Sequence, residues 1–194
     1  VSDKPNDISS FSEKHDVSPF ASYAESCKMP NGDIYFFTRA GTHKSPWIYY
    51  KLKSGSQTFE PPVVITWPTP HKDDPIKVDM FYVKVFKASD TDILVTSMHH
   101  LCNFKEIHTS KHDDRFNAYY MRLDTTDDTF YNVKGEKLTL PIIKPNADKQ
   151  TLVYDSVRAG TIVNDTRGLV LQDGKPAMSY ELRFPEPREW KMAT

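Results

Sequence analysis

Lys51-Leu52-Lys53-Ser54-Gly55-Ser56-Gln57-Thr58-Phe59 recurs without gaps further along the chain as Arg122-Leu123-Asp124-Thr125-Thr126-Asp127-Asp128-Thr129-Phe130. Each copy follows a Tyr-Tyr strand, Tyr49-Tyr50 in one unit and Tyr119-Tyr120 in the other. Each unit opens upstream on an Asp-Ile strand, Asp33-Ile34 and Asp92-Ile93. Repeats of four short strands at such spacing predict the blades of a β-propeller. The period is longer than that of an ordinary blade, so long loops are expected between strands.

Outward from the repeat, helix periodicity is almost absent. Short apolar and aromatic runs alternate with Gly, Pro, Asn and Asp turns, which is the all-β pattern. The predicted strands cover 20–27, 33–39, 47–53, 63–67, 78–87, 92–99, 116–123, 151–155, 168–172 and 177–183. Pro30-Asn31-Gly32-Asp33 and Gln172-Asp173-Gly174-Lys175 read as hairpin turns. Trp190 is placed at the start of a further strand, after a loop at Phe184-Pro185-Glu186-Pro187. Residues 1–18 read as a loop or tail, and 19–194 as a partial β-propeller domain. The chain is expected to hold about three blades, and a closed ring needs at least four. Another segment of the same protein would complete the ring.

Composition removes some classes. A net charge of −1 lacks the basic surplus that nucleic-acid binding needs. No apolar run approaches the roughly 20 residues that cross a bilayer. Aromatic residues make up 12% of the chain, and they favour strands. The two cysteines allow one disulfide, Cys27 with Cys102. Asn164-Asp165-Thr166 matches a glycosylation sequon, a pattern common by chance.

The segment from residue 99 to 115 carries His99, His100, Cys102, His108, His112 and Arg115. Imidazole and thiolate bind zinc well, and a tetrahedral site needs four such groups converging. A His-x-Cys pair on a strand with a histidine some way beyond suits a loop folded back over a metal. His43, behind the apolar strand that ends at Arg39, offers a further ligand. The plainer reading is a set of satisfied loop histidines beside a buried thiol. Trp47 and Tyr49 are assigned to the core, and Tyr82, Trp67 and His71 are open to sugar contact or to a core or surface place. Arg115 and Lys111 are read as a solvated loop face in preference to an anion site. Asp73-Asp74 and Asp127-Asp128 are read as turn acids.

The repeated turns resemble degenerate Asp-boxes, the Ser-x-Asp-x-Gly-x-Thr-Trp hairpin turns of sialidase-like propellers. Further blocks extend the likeness: Asn31-Gly32-Asp33-Ile34-Tyr35-Phe36-Phe37-Thr38-Arg39, His43-Lys44-Ser45-Pro46-Trp47, His100-Leu101-Cys102 and Arg115-Phe116-Asn117-Ala118-Tyr119-Tyr120-Met121. Together they resemble the BNR-repeat family of secreted polysaccharide-degrading propellers, and within it the ulvan lyases with a seven-bladed ring. The resemblance implies β-elimination on an acidic, uronate-containing polysaccharide, with sulfation left open, and a secreted or periplasmic monomer. It also implies that Tyr23, with Arg39 sixteen residues later, sits beside the scissile bond. It gives His43, His100, Cys102 and His112 as ligands of a structural zinc, with His108 competing for the last place. The chain departs from the family in one respect. The family's catalytic histidines lie upstream of the tyrosine, and His15 is too near Tyr23 to match them.

A lyase removes the proton beside a uronate carboxylate and expels the 4-linked sugar. A fixed guanidinium, as Arg39 would supply, offsets the charge that builds on the carboxylate. Tyrosine, with an ordinary pKa near 10, can transfer the proton when a cation stands close. Two other functions compete. A sialidase-type hydrolase needs an arginine triad, and only Arg39 and Arg115 suggest themselves. A non-catalytic glycan-binding propeller needs no turnover at all.

Overall fold

The computed structural model describes residues 4, 6–10, 17–18, 20–103, 115–183 and 188–193. Three antiparallel sheets follow one another along the chain. The first runs in order β1 (Ala21–Lys28), β2 (Ile34–Ala40), β3 (Trp47–Leu52) and β4 (Val63–Thr66). The second holds β5 (Thr69–His71), β6 (Asp74–Lys87), β7 (Asp92–Asn103), β8 (Arg115–Asp124), β9 (Thr129–Tyr131) and β10 (Leu152–Tyr154). Its path is β10-β8-β7-β6-β5, with β9 also pairing β8. The third sheet is β11 (Ile162–Val170), β12 (Pro176–Arg183) and β13 (Arg188–Ala193). Two short helices, α1 (Lys144–Gln150) and α2 (Ser156–Ala159), pack around the second sheet.

The sequence repeat is a structural repeat. Ile34 pairs with Leu52 in the first sheet, and Ile93 with Leu123 in the second, so both units close the same hairpin at the same register. The two units are also locked together at their turns. The Lys51 ammonium lies 2.7 Å from Asp128 and 3.6 Å from Asp33, and Tyr35 donates its hydroxyl to Asp128. Asp33 also accepts the Ser54 amide at 2.9 Å, docking one turn on the next. Gly32 (φ +91°) sits so close that a Cβ there would meet the Ser54 hydroxyl at 2.4 Å. Only glycine fits this turn.

The middle sheet is buried on both faces, which explains the uninterrupted apolar run Ile93-Leu94-Val95. Alternate residues go to opposite sides. Ile93 and Val95 join Tyr35, Phe37, Trp47 and Tyr49 of the first sheet, while Leu94 and Met98 join Val163, Met178 and Leu182 of the third. The Trp47 indole donates to the Phe81 carbonyl at 2.7 Å, tying the first core across its sheets. Trp47 and Tyr49 are thus core residues, as the sequence suggests.

Several expectations change. β7 does not stop at His99 but pairs residue by residue with β6 as far as Asn103. His100 and Cys102 are strand residues, as the His-x-Cys reading has it, and the strand outruns its predicted end because β6 begins earlier, at Asp74, than its apolar pattern implies. β11 starts at Ile162 rather than at residue 168, since polar Asn164 and Asp165 hide the alternation. The helices escape notice because four and seven residues are too few to show a period. No disulfide joins Cys27 and Cys102, which sit in separate apolar clusters. His15, His108, Lys111, His112 and the 184–187 loop lie outside the described residues.

Candidate active site

Tyr23 and Arg39 meet because of an irregularity in one hairpin. β1 and β2 pair Ser22 with Arg39, and the register then shifts before Glu25. Tyr23 lies inside this bulge with φ +57°, a left-handed conformation that costs an aromatic residue about 1–3 kcal/mol. Tyr23 is 52% exposed there, on an edge strand whose Ala21 and Ala24 are also exposed. Ser22 secures the distortion. Its hydroxyl donates to the Gly41 carbonyl at 2.9 Å and accepts from Arg39 Nε at 3.3 Å.

The first sheet is held to the second beside this point. The Glu25 carboxylate accepts the Val85 amide at 3.1 Å and lies 3.6 Å from the Lys84 ammonium. Tyr23 then meets Tyr82 edge-on, with ring centroids 5.9 Å apart. The Arg39 guanidinium carbon is 4.8 Å from the Tyr23 ring and 5.6 Å from that of Tyr82. Arg39 is only 7% exposed and makes no ion pair with a carboxylate among the described residues. Burying an uncompensated charge is costly.

Tyr23, Trp47, Tyr82, Met98, Arg115 and Asn164 contribute to the wall of an open cleft of about 270 Å³ between the three sheets. Arg39 stands behind the two tyrosine rings. The sequence reading sets Arg115 on a solvated face, and the structure moves it into the cleft. Its guanidinium lies 5.2 Å from the Tyr82 ring and donates to the Asn164 backbone carbonyl and side-chain oxygen, each at 3.3 Å. Asn164 in turn donates its side-chain nitrogen to buried Glu181 at 2.8 Å. The amide of the sequon is therefore a strand contact in the cleft. Of the loosely placed aromatic candidates, only Tyr82 reaches the site. His71 borders a separate cavity beneath α1, where His99 and Asp79 share a buried 2.7 Å contact, and Trp67 lines neither. Sequence reasoning has no signal for Asn164 and Glu181, because their meeting depends on the pairing of β11 with β12.

Behind Tyr82, the His100 ring lies 5.2 Å from the phenol ring, and its Nδ1 is 3.2 Å from the Cys102 sulfur. Tetrahedral zinc with Zn–S near 2.3 Å and Zn–N near 2.0 Å would separate two such ligand atoms by about 3.5 Å. His100 Nε2 is buried with no hydrogen-bond partner among the described residues. Burial, reinforced by Arg115, His99, His43 and Arg39, pushes the His100 pKa down to about 4, so the imidazole is neutral and able to ligate. His43, in the β2–β3 turn, is near enough to contribute to that field. These residues fit a metal's chemistry. No group of three or more His, Cys, Asp or Glu side chains converges as a metal site among the described residues, and the fourth candidate, His112 or His108, lies outside them.

Known proteins provide the wider frame. Three curated relatives match about four-fifths of this chain. An "Ulvan lyase" of Nonlabens ulvanivorans is 39% identical over 158 residues. The "Ulvan Lyase-PL25" of a Pseudoalteromonas species (strain PLSV) is 35% identical over 161 residues. An "Ulvan lyase" of an Alteromonas species (strain LOR) is 36% identical over 161 residues. The chain covers 33%, 32% and 32% of their respective lengths, so it spans about a third of each. Two solved structures of a polysaccharide lyase PL25 ulvan lyase superpose with TM-scores of 0.86 and 0.85 at 28% identity. Each match covers 98% of this chain and 45% of that one, and the first of the two is bound to -[GlcA(1-4)Rha3S]-. The BNR repeat-containing family matches residues 1–187. The repeated hairpins, the three sheets and this match agree, and the chain belongs to the BNR repeat-containing family.

Proposed function

We propose that this chain forms part of a polysaccharide lyase that cleaves an ulvan-like, uronate-containing polymer by β-elimination. The observation that carries the reading is Arg39. A nearly buried guanidinium with no carboxylate partner among the described residues, set against an exposed tyrosine, is poised for an anionic ligand. In this reading the uronate carboxylate takes hydrogen bonds from Arg39, which offsets charge as the neighbouring proton leaves. Tyr23 is the proton-transfer group. The proton beside the carboxylate is removed, its electron pair forms the new C4–C5 double bond, and the C4–O bond to the next sugar breaks. Tyr23, having taken that proton as the phenolate, returns it to the departing oxygen, and the product carries an unsaturated uronate.

The three sheets are then consecutive blades of a β-propeller formed by 19–194, completed by another segment of the same protein as a secreted monomer. His43, His100, Cys102 and His112 would hold a zinc ion. Filled by four protein ligands, such an ion supplies rigidity and leaves no open position for water. It would pin the strand end at Cys102 to the turn after Arg39. One equivalent of zinc in the purified full-length protein, lost in Cys102→Ala, is the expected result of metal analysis. Equal metal content in both proteins would remove the site.

The catalytic assignment is tested by Tyr23→Phe in the full-length protein. The ultraviolet absorbance of the unsaturated uronate should appear at least a hundredfold more slowly. An unchanged rate would exclude Tyr23, and saturated product ends from the unaltered protein would indicate a hydrolase instead.

A further inference from the structure

The cleft holds a second guanidinium that the elimination does not need. Arg115 donates to Asn164 through one terminal nitrogen, and its Nε and second terminal nitrogen have no partner among the described residues. Every other charged side chain along this wall is matched within the protein. Lys84 faces Glu25, Asp165 holds Arg167 at 3.4 Å, and Glu181 accepts from Asn164. Arg115 rests instead on the Tyr82 ring and on uncharged oxygens.

Its orientation is fixed by a relay. Buried Glu181 takes the Asn164 nitrogen, which turns the amide oxygen toward Arg115 and holds the guanidinium at the cleft wall. An arginine held this way presents a planar pair of donors, the arrangement that suits a tetrahedral oxyanion. The guanidinium carbons of Arg39 and Arg115 lie 5.6 and 5.2 Å from the centroid of one ring, that of Tyr82. Their separation cannot exceed the sum of those two distances, which lies within the reach of two adjoining sugar residues. A polymer that alternates a uronate with a sulfated sugar carries two different anions at such neighbouring positions.

We propose that Arg115, positioned by Asn164 and Glu181, is the specificity residue that reads the sulfate ester on the sugar next to the uronate. This deepens the lyase reading and rests on it. Arg39 would serve the carboxylate that must be neutralised for elimination. Arg115 would serve a group that takes no part in bond making or breaking.

The experiment compares ulvan with chemically desulfated ulvan as substrates for the full-length protein. The unaltered protein should favour the sulfated polymer in kcat/KM. Arg115→Ala should collapse that ratio at least tenfold, and Arg39→Gln should lower both values together. Arg115→Gln, which keeps an amide to donate to Asn164, is read in the same way should the alanine variant not fold. Asn164→Ala, which frees the guanidinium, should reduce the ratio by a smaller factor. A ratio left intact in the Arg115 variants would overturn the proposal, whatever their absolute rates. If the unaltered protein releases no unsaturated product from either polymer, the lyase reading fails by itself. The sulfate assignment is then decided by calorimetric binding of sulfated and desulfated oligosaccharides, with the same tenfold criterion.

Discussion

Lys51 and Arg39 stand on neighbouring strands of one sheet, are equally buried, and are treated in opposite ways. Lys51 is 8% exposed and sits between two carboxylates, Asp128 and Asp33, with its ammonium 5.0 Å from the Tyr35 ring. Arg39 is 7% exposed and has two aromatic rings, a serine hydroxyl and no carboxylate among the described residues. The first cation is neutralised by the protein and joins two repeat units. In the proposed reading the second is neutralised by the substrate. The contrast sets a cation matched by the protein's own carboxylates against one that the proposed function assigns to a ligand.

The comparison can be broken at either end. Lys51→Met would strand two carboxylates at a turn junction, and about 3 kcal/mol of stability should be lost. A shift in the denaturant midpoint measures it, while kcat and KM of the folded protein stay as they were. Arg39→Gln should do the reverse. Removal of an unpaired buried charge should leave the midpoint unchanged or raise stability by about 1 kcal/mol, because a binding site trades stability for function. The same variant should lose at least a hundredfold in kcat/KM, as expected when a fixed donor to developing charge is removed. Large destabilisation by Arg39→Gln, or activity loss by Lys51→Met, would erase the distinction.

Much of the fold was legible because it is written in local signals. The Asn-Gly and Asp-Gly turns, the Tyr-Tyr strands and the ungapped repeat each report on neighbours in sequence. The pairing of Tyr23 with Arg39 comes from the family resemblance, and the structure brings the two together because they stand on the two strands of one hairpin. What stayed hidden depends on distant segments. The bulge that holds Tyr23 leaves no mark in a run such as Ala21-Ser22-Tyr23-Ala24. The extension of β7 through Cys102 is set by its partner β6, since β-propensity depends on cross-strand neighbours. Arg115 reads as surface because the residues that orient it, Asn164 and Glu181, arrive from a different sheet.

The central claim is that the chain keeps Arg39 for the carboxylate of its substrate. A crystal structure of the full-length Tyr23→Phe protein with an ulvan oligosaccharide would test it most directly. The account predicts a uronate carboxylate within hydrogen-bonding distance of the Arg39 guanidinium, with the carbon bearing the abstracted proton facing position 23. A bound sugar chain whose carboxylates all point elsewhere, with Arg39 still closed behind Tyr82, would contradict it.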